Sequence, residues 1–301
     1  MSTKSAFIAI TGRPNAGKSS LTNLLVGEKV AIVSEKPQTT RTRINGVLTE
    51  GETQYVFIDT PGMHKARNKL SDQMVKSIRE SIVDVDVILF MVDATKKISP
   101  IEHNLTDSFK AGKTDVILLI NKVDLLKDKS LLLETIKSYS ELFDFKEIIP
   151  ISVKEKIGTE QIMPALEKYA KDSPHYFDDN LPTDQTEKVW LSEIVREKIL
   201  QNMQEEIPHG VAVYIESMET RKKPDGTEIV DLGVVIVCEK ATHKGMIIGK
   251  QGAMLKKIGS LARADMEDYF DCKVNMQIWV KVKEDWRNKE SAIADFGLKA
   301  D

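Results

Sequence analysis

Cysteine is almost absent. Cys238 and Cys272 are the two in the chain, with no Cys-x-x-Cys pair. That removes a disulfide framework and a zinc ribbon, and both are expected as buried free thiols in a reducing cytosol. The five histidines, at 64, 103, 175, 209 and 243, never fall at ligand spacing, so a metal cluster is not expected. Long apolar runs are missing too: Val87 to Val92, Val116 to Ile120 and Val234 to Cys238 are strand-length and too short to span a bilayer. The opening MSTKSAF carries no hydrophobic signal region, so export is not expected. No repeat, low-complexity tract, amphipathic anchor or lipidation signal stands out. Neither charge dominates, with 43 Lys and Arg against 46 Asp and Glu, net −3.

A hydrophobic share of 41% and a charged share of 30% over 301 residues describe globular cores, enough for two domains. The charge is unevenly spread. Lys240 to Lys289 holds eleven Lys and Arg against six Asp and Glu, so the remainder is net acidic. One part of the chain is thereby suited to a polyanion.

The stretch around which the chain is organised is FIAITGRPNAGKSS, Phe7 to Ser20. A short apolar run, Phe7 to Ile10, stops at Gly12; Gly12-x-x-x-x-Gly17-Lys18-Ser19 follows, then apolar spacing at Leu21, Leu24 and Leu25. Strand, glycine loop and helix make a phosphate cradle, in which backbone N–H groups point at phosphate oxygens. Gly12, Arg13, Pro14, Asn15, Ala16, Gly17, Lys18, Ser19 and Ser20 are its candidate residues. Lys18 reaches the β- and γ-phosphates, and the Ser19 hydroxyl suits Mg²⁺.

Four further stretches occur in the order a GTP site requires, each but the first at the end of an expected strand. In the polar loop Ser34 to Arg43, Thr39 and Thr40 offer hydroxyls to Mg²⁺ and the γ-phosphate. Asp59-Thr60-Pro61-Gly62 places a carboxylate that holds Mg²⁺ through water and a Gly62 N–H for the γ-phosphate. Asn121-Lys122-Val123-Asp124 supplies a carboxylate that accepts from guanine N1 and N2, contacts that adenine leaves unmade. Ser152-Val153-Lys154 offers backbone N–H groups to guanine O6. The metal set is Ser19, Thr40 and Asp59, and turnover is expected to be slow because no side chain is an evident base.

The alternation of strands (Ile44 to Leu48, Gln54 to Asp59, Val85 to Val92, Asp115 to Ile120, Glu147 to Ile151) with helices near 100–111, 131–143 and 159–170 implies an α/β domain with a mostly parallel sheet and helices on both faces. Lys171 to Glu187, with two prolines, reads as a semi-rigid linker. Beyond it the grammar changes to a helix over Trp190 to Glu205, two strands around the turn Lys223-Pro224-Asp225-Gly226, two helices, and a strictly alternating strand from Val274 to Val282. The expected layout is 1–172 for the nucleotide domain, 173–187 for the linker, 188–288 for a smaller α+β domain and 289–301 for a tail.

Between the two helices of that second domain lies Met246-Ile247-Ile248-Gly249-Lys250-Gln251-Gly252. A G-x-x-G loop lets a nucleic-acid backbone approach closely. Ile248, Gly249, Lys250, Gln251 and Gly252, flanked by Lys244, Lys256, Lys257 and Arg263, are the candidate RNA contacts. The order α-β-β-α-α-β with this loop resembles a type II KH domain, a clamp for about four nucleotides of single strand.

The first domain resembles the translation-factor-like class of P-loop GTPases. Met63 replaces the glutamine that orients water in Ras-like members, which is similar to the hydrophobic-substituted GTPases. Members of that group use K⁺ held in part by a phosphate-loop asparagine, and Asn15 stands there. Asn15, Lys18, Thr40 and Gly62 are thus the candidate catalytic residues. Together GRPNAGKSSLTN, QTTR, DTPG-x-H, NKVD, EIVREK, PHGVAV, IIGKQGAMLKKIG and WVKVK-x-DWR resemble the Era family of bacterial GTPases over nearly the whole chain, with Val153 where alanine is usual. The resemblance implies a monomeric cytoplasmic GTPase that binds the 3′ end of 16S ribosomal RNA through its KH domain. It also implies assistance to 30S assembly and a loose peripheral association with the inner membrane. A scaffold in which GTP is mainly a structural ligand is the alternative, since the fold fixes chemistry better than physiology.

Overall fold

The computed structural model describes residues 3–62, 68–204 and 207–298. β1 (Lys4–Thr11) leads through the glycine loop into α1 (Lys18–Val26). β2 (Ile44–Glu50) and β3 (Thr53–Asp59) form an antiparallel hairpin, followed by α2 (Lys69–Ser81). β4 (Val87–Asp93), α3 (Pro100–Ala111), β5 (Asp115–Asn121), α4 (Lys129–Ser140), β6 (Glu147–Pro150) and α5 (Ile162–Glu167) continue the alternation. The sheet order is β2-β3-β1-β4-β5-β6, parallel except for β2. β1 lies between two parallel neighbours, which is why its apolar run is unbroken: a strand covered on both faces has no polar side.

Starts of helices follow local chemistry. Ser99 and Glu102 make a reciprocal capping box with Pro100 in the first turn of α3, and the Asn68 side chain accepts from Ser71 N at the start of α2.

The expected linker is strapped down rather than spanning open space. β7 (Lys171–Asp172) pairs with the start of β1. The next residues run along the β2–β3 hairpin, where buried Gln54 accepts from Tyr176 N at 2.8 Å and Phe177 N at 3.0 Å and donates to Phe177 O. Val47 N donates to Pro182 O at 2.8 Å.

The second unit begins with α6 (Glu187–Asn202), starting and ending three residues ahead of the helix expected from Trp190 to Glu205. β8 (Val211–Lys222) and β9 (Glu228–Cys238) are antiparallel; α7 (Ala241–Ile248) and α8 (Ala253–Phe270) follow, then β10 (Lys273–Val282), parallel to the central β9. This is the type II KH order. One sheet face packs on α6 and α8. The other receives α9 (Glu290–Asp295), fully buried Trp286, and Leu70 and Met74 of α2. Cys238 is buried in this core, but Cys272 is half-exposed in the turn before β10, so only one of the two expected buried thiols is buried.

α6 is buried almost all round, Arg196, Glu197 and Lys198 included. It is wedged between the KH sheet and residues 29–41 of the first unit. The sequence shows only its apolar stripe, because the other face meets charged partners distant in sequence.

Candidate functional site

The phosphate loop, the polar loop and the end of β3 converge. Ser19 Oγ lies 2.6 Å from Asp59 Oδ2 and 2.8 Å from Thr40 Oγ1. Asp59 is fully buried, and its second oxygen, Oδ1, has no partner among the described residues. Burial pushes its carboxyl up to about 6, against the pull of Lys18 and of the Ser19 and Thr40 hydroxyls. A buried carboxylate oxygen with nothing to accept, beside two hydroxyls, suits a hard oxygen-binding cation. Thr39 does not join this set: its hydroxyl turns into its own loop, donating to Lys36 O at 2.6 Å.

Lys18, nearly buried, donates to the Gly12 and Arg13 carbonyls at 3.3 and 3.1 Å. Desolvation lowers its ammonium to about 8, with the Asp59 charge opposing. A negatively charged phosphate would relieve that desolvation. Pro14, Asn15, Gly17, Lys18, Ser19 and Gly62 line a small cleft of about 60 Å³ at this point. Gly62 must be glycine, since a Cβ there would lie 2.7 Å from Pro14 Cα. Thr60, separated from Gly62 by Pro61, fixes the entering backbone by donating to Ile10 O at 2.8 Å. Met63 lies outside the described residues.

A larger cavity of about 760 Å³ adjoins it, lined by Asn121, Lys122, Asp124, Ser152, Val153 and Lys154 among others. Asn121 joins its walls: Nδ2 donates to Ala16 O at 2.8 Å and Oδ1 accepts from Val153 N at 3.0 Å. Ser152 N is bonded to Ile157 O, while the Lys154 N–H has no hydrogen-bond acceptor among the described residues. Asp124 stands in a short 3₁₀ turn directly after β5, Val123 N being held by Ile151 O. Arg13, Ala16 and Ser20 complete the loop, Arg13 reaching Glu102 at 3.6 Å.

The sequence reading missed Asp93. It is the last residue of β4, 5% exposed, and pairs with Lys122 Nζ at 2.8 Å while Thr95 N and Oγ1 donate to it. Desolvation opposes ionisation, yet the bonds from Lys122 and Thr95 hold its carboxyl below the usual range. Asp93 therefore aims the Lys122 stem along the cavity wall. The signal was available: an acidic residue ending a wholly buried strand.

In the second unit, α7 turns into α8 through Gly249 to Gly252. Gly249 has φ +72° and a Cβ would meet Met254 Cβ at 2.7 Å, so only glycine allows the two helices this close. Lys250, Gln251, Lys256, Lys257 and Arg263 are exposed, Lys244 and Ile248 half-exposed. None of the four lysines has a carboxylate within ion-pair distance among the described residues. The surface is open and basic.

A cavity lined by an N-K-x-D run beside a phosphate loop, fused to a G-x-x-G helical turn on a three-stranded sheet, defines a P-loop GTPase carrying a KH domain. A family model described as 50S ribosome-binding GTPase matches residues 7–122, and a KH-domain model matches residues 206–287. The chain is 49% identical to the GTPase Era of Clostridioides difficile, covering 98% of both chains, and 48% identical to that of Ruminiclostridium cellulolyticum, covering 99% of both. A crystal structure of Era with MgGDPNP and nucleotides 1506–1542 of 16S ribosomal RNA superimposes with a TM-score of 0.92 at 34% identity, covering 99% of each chain. That of an Aquifex aeolicus Era variant bound to GDP·AlF₄⁻ gives 0.90 at 34% identity, over 99% of this chain and all of the other. The chain belongs to the Era family of GTPases. No helix among the described residues is long and apolar enough to cross a membrane.

Proposed function

We propose that this protein is a GTP-driven switch that grips the 3′ end of 16S ribosomal RNA through its KH unit and assists 30S assembly in the cytoplasm. The observation that carries the reading is the coexistence, in one chain, of a guanine-selective phosphate site and a G-x-x-G clamp, with the loop bearing Thr40 hydrogen-bonded to the KH unit. Residues 1–172 would hold nucleotide and 188–288 would hold RNA, with 173–187 joining them.

Ser19, Thr40 and, through water, Asp59 would hold Mg²⁺, which would supply positive charge to the phosphate oxygens. Asp124 would select guanine and Lys154 N–H would meet O6. Lys18 and the Gly62 N–H would stabilise charge on the transferred phosphoryl group. Asn15 Nδ2 donates to Glu35 O at 2.6 Å, bringing that side chain to the carbonyls of the polar loop. A K⁺ ion is proposed at this junction, and hydrolysis should be faster in potassium than in sodium buffer. Any contact with the membrane would be peripheral.

The test is binding of the full chain to a single-stranded RNA matching the 16S 3′ end, with a non-hydrolysable GTP analogue and then with GDP, at one salt concentration. Tighter binding with the analogue is expected. Equal binding would leave an RNA scaffold in which nucleotide is structural.

A further inference from the structure

Thr40 is bracketed by two buried arginine anchors that cross between the first unit and the KH unit, one from each side. On one side, Arg196 of α6 donates through Nη2 to the carbonyl of Thr39, while Glu193 holds its Nε at 2.7 Å. On the other, Arg41 sends Nη1 to Val211 O at 2.5 Å and Nη2 to Pro208 O at 3.1 Å and His209 O at 3.0 Å. Arg41 is 4% exposed and Arg196 2%. A third anchor lies upstream, where Glu197 accepts from Val33 N at 2.9 Å and pairs with Lys29 at 2.7 Å, and Ile32 is buried within the KH core.

We propose that Arg41 and Arg196 are positioning residues for Thr40, so that docking of the KH unit completes the GTP site. The inference rests on the preceding reading of Thr40 as a magnesium and γ-phosphate contact. The polar loop makes few bonds of its own, chiefly Lys36 N to Ser34 Oγ and Thr39 Oγ1 to Lys36 O. Its register near the metal site is therefore set from outside. The anchors fasten the peptide before Thr40 and the side chain after it, leaving the Thr40 hydroxyl aimed at Ser19 Oγ. The arrangement is not what stability alone would favour: Arg41 Nε and Arg196 Nη1 are buried without partners among the described residues. Guanidinium forks on backbone carbonyls fix register, which hydrophobic contacts would not. Linkage then requires the converse, that a γ-phosphate drawing Thr40 inward strengthens docking of the KH unit.

The experiment compares full-length wild type with Arg41→Ala and Arg196→Gln, the second nearly conserving volume while losing reach to Thr39 O. GDP affinity, affinity for a non-hydrolysable GTP analogue with Mg²⁺, and kcat are measured for each. GDP affinity should stay within about twofold, because GDP has no γ-phosphate for Thr40 to meet. Analogue affinity should fall about tenfold and kcat at saturation by at least as much, with the double variant little worse than either single one, as for residues acting through one loop. Arg41→Lys should not restore it, since one ammonium cannot span three carbonyls. Parallel losses for GDP and analogue, or no loss for either, would overturn the inference. Wild type that neither binds the analogue nor hydrolyses GTP would instead sink the reading on which it rests.

Discussion

The two ligand surfaces of this molecule are built on opposite principles. The nucleotide site is buried and cross-linked: Asn121 ties the phosphate loop to the base pocket, Asp93 holds Lys122, and Ser19, Thr40 and Asp59 already touch. The G-x-x-G surface is exposed, and its lysines carry no ion pair among the described residues. The first pays in desolvation, visible in the raised Asp59 and lowered Lys18, and under the proposed function would gain discrimination between guanine and adenine. The second keeps its charges hydrated and loses little by holding any single strand. Substitutions in the first should therefore act abruptly and chemically, and those in the second gradually and electrostatically.

The largest effect belongs to Lys18→Ala. Two charge-assisted hydrogen bonds to phosphate, each about 1.5–3 kcal/mol, correspond to a loss of about 10²–10⁴ in GTP affinity. Equilibrium binding of a fluorescent GTP analogue measures it, and a loss below tenfold would contradict a buried, phosphate-directed lysine. Asp124→Asn follows. It leaves the guanine N–H groups facing an amide with only one acceptor, and affinity for GTP should fall about a hundredfold. Xanthosine triphosphate, whose C2 carbonyl can accept from the new amide, should now bind better than GTP. Competition between the two nucleotides reads this swap directly.

The same contrast explains what was legible in the chain. The phosphate loop, Asp59 to Gly62 and Asn121 to Asp124 were readable because each is a contiguous run with a strand on its N-terminal side, and local sequence carries both the element and the chemistry. The KH order was readable from period-two spacing in β10 and threes and fours in α8. Asp93, Arg41 and Arg196 were not read as functional. Each acts on a residue between 29 and 170 positions away, and no local pattern marks an arginine whose partners are carbonyls of another unit. How the semi-rigid linker is held was not legible for the same reason: its prolines and acids are visible, but Gln54, which holds it, sits in a strand that reads as ordinary.

On the basic surface the response should be graded. Lys256→Ala should weaken RNA binding by only a few-fold and lower the dependence of log K on log salt by about 0.7, if that side chain neutralises one phosphate of a single strand. The Lys250→Ala, Lys256→Ala double variant should lower it by about twice as much, with GTP affinity unaltered. Titrations at several salt concentrations give the slope. An unchanged slope would place the RNA elsewhere, and an abrupt loss would make this surface resemble the nucleotide site.

The smallest effect concerns the strap between the two regions. His175 bridges Asp179 through Nδ1 at 2.6 Å and Glu52 O through Nε2 at 3.0 Å, pinning residues 175–179 to the β2–β3 turn. The Glu52 carbonyl first, then the Asp179 carboxylate, raise its imidazole above the ordinary 6.5. A pKa raised in the folded state means that protonation favours the pinned form. The contribution is complete below pH 6.5 and is lost as the pH rises through the elevated folded value. Chymotryptic cleavage after exposed Tyr176 should therefore be slower in wild type than in His175→Gln at pH 6, by a few-fold, and the ratio should shrink as the pH rises through the elevated folded value. Because both proteins meet the same protease at each pH, the ratio isolates the imidazole. A ratio independent of pH would mean that Gln54 and the Val47 to Pro182 bond hold the strap without help from charge, making it a fixed part of the first unit's sheet.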